Sequence, residues 1–408
     1  MSSPVSPARP PRTRRRRLLG RVALALAALV PLAAIGAFAF GPAFVERGMN
    51  RVDASRAGPV SDAARRLHAS LFVADLHSDL LLWHRDPLAR GARGHTDVPR
   101  LGEGNVALQV FSTVTKTPRG LNYERNTADS DNITALAVLQ RWPVRTWGSL
   151  RERALFQAER LADAAARSGG RLVLVRSAAD LDTFVAARAA APTERRVAAL
   201  LATEGLQPLE GDLRHVDALH AAGFRMMGLT HFFDNEVAGS AHGVSRGGLT
   251  PLGRQVIPRL EALGILVDVA HASPRTVDDV LALATRPVVV SHGGVQATCP
   301  GPRNLTDDQL RRIAATGGVI GIGYWDGAVC EIGPASTARA IVHAVRVAGV
   351  DHVALGSDFD GATTTPFDAA GLPQVTQALL DAGLSPGDVA KVMGGNVLRL
   401  LRAALPPR

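Results

Sequence analysis

Lysine is all but missing from this 408-residue chain: Lys116 and Lys391 are its two instances, and arginine carries the rest of the positive charge. Cysteine is as scarce, with Cys299 and Cys330 alone, which excludes a disulfide-framework domain and any CxxC thiolate metal site. No GxGxxG turn follows the first β-rich run, so a dinucleotide-binding sheet loses support. From about residue 61 onward no Pro/Gly/Ser-rich break is long enough to mark a domain boundary, and there is no repeat of short period. The formal net charge of +9 is not a nucleic-acid footprint either. Seven arginines between Arg9 and Arg21 supply most of it, and the remainder of the chain carries +2. A hydrophobic content of 46% excludes a disordered chain and is ample for a buried core.

What is present begins with the N-terminus. Residues 1–17 are rich in Pro, Ser and Arg and read as a disordered basic cytoplasmic tail. Val22 to Val45 then run 24 residues without a charge. A bilayer-spanning helix needs about 20 apolar residues, and a cationic flank stays on the cytoplasmic side. The expectation is a single-pass signal anchor over 18–45 in the inner membrane, with the bulk of the chain in the periplasm or outside the cell. The alternative is a cleaved signal peptide, for which "AFA" at 37–39 supplies a small-residue site, followed by secretion. Residues 46–60 read as a polar linker, and 61–408 as one domain.

Within that domain, eight short β-rich runs alternate with helical stretches: "LFVADL", "VALQVF", "VAALLA", "FRMMGLT", "GILVDVA", "PVVVS", "GVIGIG" and "HVALG". Eight such alternations predict an α/β fold of the (β/α)8 TIM-barrel type, with an open doubly wound sheet as the alternative. Residues 115–195 are long for one crossover and predict extra helices, with "RLVLV" (171–175) as an additional strand. Helices are expected over 250–264 and 306–318, the second with Thr306 as N-cap.

The chemistry sits where the runs end. Run one ends in His77 and Asp79, two residues apart and so on one face of a strand. Runs three, four, five, six and eight end in Glu204, His231, His271, His292 and Asp358. In a barrel these ends share one rim, and that rim holds the active site. Imidazole and carboxylate without thiolate suit zinc, and also manganese or cobalt. Four or five ligands exceed the three of one open catalytic zinc, so two metals sharing Glu204 as a bridge fit the count. Two metals can hold a hydroxide between them and polarise a carbonyl, which is the chemistry of amide hydrolysis.

Taken in order, "HSD", "HTDVPRL" (95–101), "TEG", "GLTHFFDNEVAGSAHG", "GLTPLGRQVIPRLEALGILVDVAHAS", "VSHGG", "PRNLTDDQL", "GSDFDG" and "MGGNVLRLL" resemble the membrane dipeptidase (renal dipeptidase, M19 metallopeptidase) family of amidohydrolase-like barrels, over about residues 65–403. The resemblance implies a zinc-dependent dipeptidase acting on free L,L and L,D dipeptides. It implies His77, Asp79 and Glu204 on one metal and Glu204, His271 and His292 on the other. Asp358 matches the aspartate that moves the proton from the bridging hydroxide to the leaving amine. His231 matches the histidine that stabilises the oxyanion, and Arg303 the arginine that binds the substrate carboxylate. The family often forms homodimers. Departures fall at Leu206, His220 and Ala270, and they put the shape of the pocket in question.

Other residues near the motifs are weaker candidates. Asp360 rivals Asp358. Asp97 precedes a proline and reads as a turn former, and Asp268 points away from its neighbour His271. His84 and His95 lie near the motifs, and His242 is placed to touch substrate. Cys299 and Cys330 both fall on the metal-bearing rim, where one disulfide would pin two loops. Two other functions are carried alongside: a barrel hydrolase for another amide, a lactone or a phosphoester, which needs no carboxylate clamp, and an inactive membrane-anchored binding protein.

Overall fold

The computed structural model describes residues 12–408; residues 1–11, where most of the expected basic tail falls, and the side chains of residues 12–15, 17, 20, 23–28 and 30 lie outside that description. All eight β-rich runs become strands: β1 Val73–Ser78, β2 Val106–Phe111, β3 Val197–Thr203, β4 Phe224–Gly228, β5 Leu266–Asp268, β6 Val288–Gly293, β7 Val319–Ile322 and β8 Val353–Leu355. Each pairs in parallel with its sequence neighbours, and β8 pairs back to β1 (Leu355 with Asp75), closing an eight-stranded barrel. Every residue of these strands is buried, as apolar runs covered on both faces require. The extra strand appears as Leu172–Leu174, paired in parallel with the first residues of β3.

Helices stop and start where the sequence signals them. Thr306 caps Asp307–Ala315 in a reciprocal capping box with Gln309. Ser273 and Thr250 cap Pro274–Leu283 and Pro251–Ala262, each with proline at the first helical position. The long crossover after β2 carries Ile133–Leu139, Arg145–Gly148, Leu150–Arg167 and Ala178–Ala190, the first of which is labelled α2 below.

The N-terminus departs from expectation. One helix, α1, spans Arg12–Met49. Among the described residues no helix is long and apolar enough to cross a membrane, so the transmembrane anchor expected over 18–45 is not supported. Several side chains of that run lie outside the description, and its last turns are committed to the barrel. Val45 packs on the cluster of Leu82, Trp83, Ile133 and Trp142. Glu46 is 1% exposed and ion-paired with Arg85 and Arg93. The expected linker 46–60 is also attached: Arg51–Val52 pair in parallel with Thr364–Thr365. A local reading of polarity missed this because the partners lie far away in sequence.

Candidate metal centre

Two strand ends lose regular register where candidate ligands sit. The β1–β2 register shifts between Asp75 and Ser78, around His77, and the β6–β7 register shifts between Val290 and Gly293, around His292. Such irregularities re-aim side chains at a barrel rim. Two more site residues, His271 and Asp358, sit at φ 61° and 58°, in the left-handed region that costs a non-glycine residue about 1–3 kcal/mol. Gly356 permits the close approach just ahead of Asp358, because a Cβ there would strike the Ser291 carbonyl.

The side chains converge on Glu204. Its Oε1 lies 3.1 Å from His271 Nε2, 3.4 Å from His292 Nε2 and 3.6 Å from His77 Nε2. Its Oε2 lies 3.3 Å from His231 Nε2. His77 Nε2 stands 3.4 Å from Asp79 Oδ1 and 4.0 Å from Asp358 Oδ1, and the Nε2 atoms of His271 and His292 face each other at 3.0 Å. Donor atoms therefore gather in three overlapping triads: His77–Asp79–Glu204, Glu204–His271–His292 and His77–His292–Asp358. Asp79 precedes a short 3-10 turn but makes no capping bond, so its carboxylate is free for the site.

Electrostatics say what this cluster needs. Asp79, Glu204 and Asp358 are buried together, and Arg303 is the one guanidinium among the described residues lining the adjoining cavity. Burial, reinforced by Asp79, pushes the Glu204 carboxyl well above its ordinary value, and burial lifts Asp358 to about 8. Burial opposes charge on His77, yet Asp79, Glu204 and Asp358 outweigh it and raise the imidazolium to about 10. Burial, with nearby cations, drives His231, His271 and His292 well below their usual range, so all three are neutral. His77 Nε2, Asp79 Oδ1 and Glu204 Oε2 are buried without a hydrogen-bond partner. Orphaned buried polar atoms and carboxylates crowded together away from water are costly unless cations compensate them. The residues present fit a metal centre.

Two buried aspartates hold the backbone beside the candidate ligands. Asp75 Oδ1 accepts from His77 N at 3.1 Å and Gln109 Nε2 at 3.1 Å, and its Oδ2 from Ser357 N at 3.0 Å. Asp268 Oδ1 accepts from Ala270 N at 3.0 Å and Ser291 N at 2.9 Å, next to His271 and His292. Asp360, the rival to Asp358, is fully engaged by His95 N, Thr96 and Arg85. Its role is to clamp the loop, which leaves Asp358 facing the centre. His95 completes that clamp, its Nδ1 accepting from Asp360 N at 2.9 Å. Asp97 caps the helix Val98–Glu103, as a turn former would. His84 is exposed and outside the site. His242 is fully buried, stacks on Phe232 and bonds the Tyr123 carbonyl, so it supports the wall from behind.

Above the centre opens a cavity of about 520 Å³, lined by Asp79, Glu204, His231, His271, Asp358 and Arg303 among others. Arg303 is 7% exposed, donates from Nη2 to the His292 carbonyl at 2.7 Å and lies 5.8 Å over the Trp325 ring. Cys299 and Cys330 form a disulfide with Cα atoms 5.3 Å apart, joining the loops that carry Arg303 and Trp325. Closing 31 residues, it contributes about 3–4 kcal/mol by chain entropy. Replacing both cysteines by serine is expected to lower unfolding stability by about that amount in a denaturant titration. An unchanged midpoint would refute the role. Leu206, His220 and Ala270 do not line the cavity; Leu206 and Ala270 are core. Sequence reasoning missed Tyr123, Trp83, Trp325, Val45 and Met49, all cavity-lining. They lie outside the strand-end pattern that singled out the ligands.

The profile of the membrane dipeptidases (Peptidase family M19) matches residues 61–405. The dipeptidase aclJ of Aspergillus oryzae is 28% identical over 419 aligned positions, covering 96% of this chain and 89% of its own. A solved metallo-peptidase, dipeptidase AC of family M19, superposes with a TM-score of 0.66 at 26% identity, covering 82% of this chain and 99% of that one. The metallo-peptidase of Rhodobacter sphaeroides liganded with a phosphinate mimic of L-Ala-D-Ala does so with 0.66 at 25%, over the same shares.

Proposed function

The chain belongs to the membrane dipeptidase family, Peptidase family M19, and from that membership we propose how its residues cleave a dipeptide. It is a metal-dependent dipeptidase, a hydrolase on a closed (β/α)8 barrel. The observation that carries the finer reading is Glu204, which stands in two of the donor triads at the floor of the cavity, its Oε1 3.1 Å from His271 and 3.6 Å from His77. The donors suit two zinc ions, of which His77, Asp79 and Glu204 would hold one and Glu204, His271 and His292 the other; manganese or cobalt suits the same donors. Bound metal supplies Lewis acidity and water made acidic at neutral pH.

The protein's own groups do the rest. Arg303 offers a planar fork to the free carboxylate of the substrate and so sets which bond reaches the centre. His231, neutral and with Nε2 turned to the centre, donates to the oxygen on which charge develops. Asp358 is within reach of the donor cluster; it accepts the proton of the attacking water and returns it to the departing amine nitrogen. L,D as well as L,L dipeptides are proposed substrates.

The test sets free dipeptides against their C-terminal amides, with Arg303→Met alongside. Loss of a charge-assisted pair is expected to raise KM for the free acids about 10–100-fold and to leave the already poor amides unmoved. Equal cleavage of acids and amides by the wild type would instead favour another amide, a lactone or a phosphoester, substrates that need no clamp.

An exported location is also proposed, on the inner membrane or after release from it. The arginine-rich start of α1, the apolar residues exposed along it (Leu29 58%, Leu32 62%, Ile35 63%) and the disulfide support it. Cell fractionation with protease accessibility checks this: a protected chain with reduced cysteines would refute it. Homodimer formation remains a proposal for light scattering to decide.

A further inference from the structure

The far end of α1 reaches the substrate cavity. Val45 and Met49 line it together with Leu82, Trp83, Leu136 and Leu139, six apolar side chains from three separate segments. The segment is held firmly. Glu46 accepts from Arg93 Nε at 2.6 Å and pairs with Arg85, which reaches Asp360 Oδ2 at 2.8 Å. Asn50 Oδ1 accepts from Ala362 N at 2.8 Å, and Arg51–Val52 lie along Thr364–Thr365. Higher on the helix, Gly41 lies against Leu139 with no room to spare for a side chain. The apolar wall is thus tied, through Asp360 and Ala362, to the loop that presents Asp358.

Its place on the rim gives it a role. Around the barrel the order is β6, β7, β8, β1, β2. Arg303 follows β6 and Trp325 follows β7, whereas Leu82 and Trp83 follow β1 and α2 follows β2. Asp358, after β8, stands between the two groups. A dipeptide whose carboxylate meets Arg303 and whose scissile bond lies over Glu204 and Asp358 directs its amino-terminal residue toward the apolar side.

We propose that the end of α1, with Val45 and Met49, completes an apolar pocket for the amino-terminal side chain, so that the enzyme selects dipeptides with a large apolar residue there. This rests on the dipeptidase reading and on Arg303 as its carboxylate site. The wall also explains why Glu46 is buried: its ion pairs fix the helix end against the barrel, where a free linker would leave the pocket open to water.

The experiment uses the full-length metal-loaded chain and three substrates with no second stereocentre: Leu-Gly, Gly-Gly and Gly-Leu. The wild type is expected to prefer Leu-Gly over both others in kcat/KM. Val45→Ser with Met49→Ser is expected to lower the Leu-Gly to Gly-Gly ratio roughly tenfold, the usual scale for apolar side-chain discrimination. Met49→Trp, at a position 44% exposed and able to take bulk, is expected to lower the same ratio by filling the pocket. Calorimetry on chelator-treated protein gives an activity-free readout: Leu-Gly should bind with a more negative heat-capacity change than Gly-Gly, and the difference should shrink in the serine variant. A Gly-Leu preference, or a ratio that neither variant moves, would overturn the pocket while leaving the dipeptidase intact. Failure of the wild type on all three substrates would overturn both.

Discussion

Asp358→Asn is expected to lower kcat on a free dipeptide between about 10² and 10⁴-fold, the range for loss of a positioned acid-base group. Bound metal, measured by atomic absorption, should stay the same, because His77, Asp79, Glu204, His271 and His292 account for the two proposed ion sites without it. Asparagine keeps the shape and the left-handed backbone at this position, where φ is 58° and where Asn is among the tolerated residues. It cannot take a proton from water. KM should change little, since the carboxylate of the substrate is held by Arg303. The parallel change Asp360→Asn distinguishes the two neighbours. Asp360 is engaged by Arg85, Thr96 and His95, so its loss is expected to appear as instability of the loop. A kcat in Asp358→Asn within a few-fold of wild type would refute the proton-transfer role.

Chelation is expected to abolish cleavage and to lower the melting temperature by about 8 °C or more, both restored by zinc. Ligand present at about a thousand times its Kd contributes about 4 kcal/mol, and for a domain above 150 residues each kcal/mol moves the melting point by about 2–4 °C. The physical origin is the trio of Asp79, Glu204 and Asp358, buried with Arg303 as the nearby fixed positive charge. The metal-free protein should also acquire a pH dependence. Asp358 titrates at about 8 there, above its ordinary value of 3.8. The folded state then binds the proton more tightly than the unfolded one. That contribution is whole below about pH 4 and is lost as pH rises through about 8. His77, raised to about 10, acts in the same sense at higher pH, while His231, His271 and His292, held neutral, act oppositely below their ordinary value. Comparing metal-free wild type with metal-free Asp358→Asn isolates the first term: wild type should lose stability relative to the variant between pH 4 and 8. Parallel curves would refute it.

The sequence by itself determined the strands of the barrel and the candidate ligands at their ends. Strand identity is local: an apolar run of five or six residues, covered on both faces and ended by a turn, needs no knowledge of its partners to be recognised. Eight such runs in alternation with helices narrow the topology to a closed barrel or an open doubly wound sheet, because parallel neighbours need crossovers of one hand, and the pairing of β8 with β1 decides for the barrel. Residues at the ends of those runs, His77, Asp79, Glu204, His231, His271, His292 and Asp358, therefore share a rim before any coordinate is known. The tertiary structure decided what depends on chain segments far apart. Asp358 and Asp360 look alike in "GSDFDG"; only the arrival of Arg85, His95 and Thr96 from the other end of the chain commits Asp360 to the loop. Leu206, a departure in a site motif, faces the core. Residues 41–52, which read as the end of an apolar run and a polar linker, dock on the barrel and line the cavity, because Glu46 finds Arg85 and Arg93 and Val45 finds Leu82 and Trp83. Burial of a single charge or side chain against a distant partner leaves no periodic trace in the sequence. Only the folded chain brings those groups together.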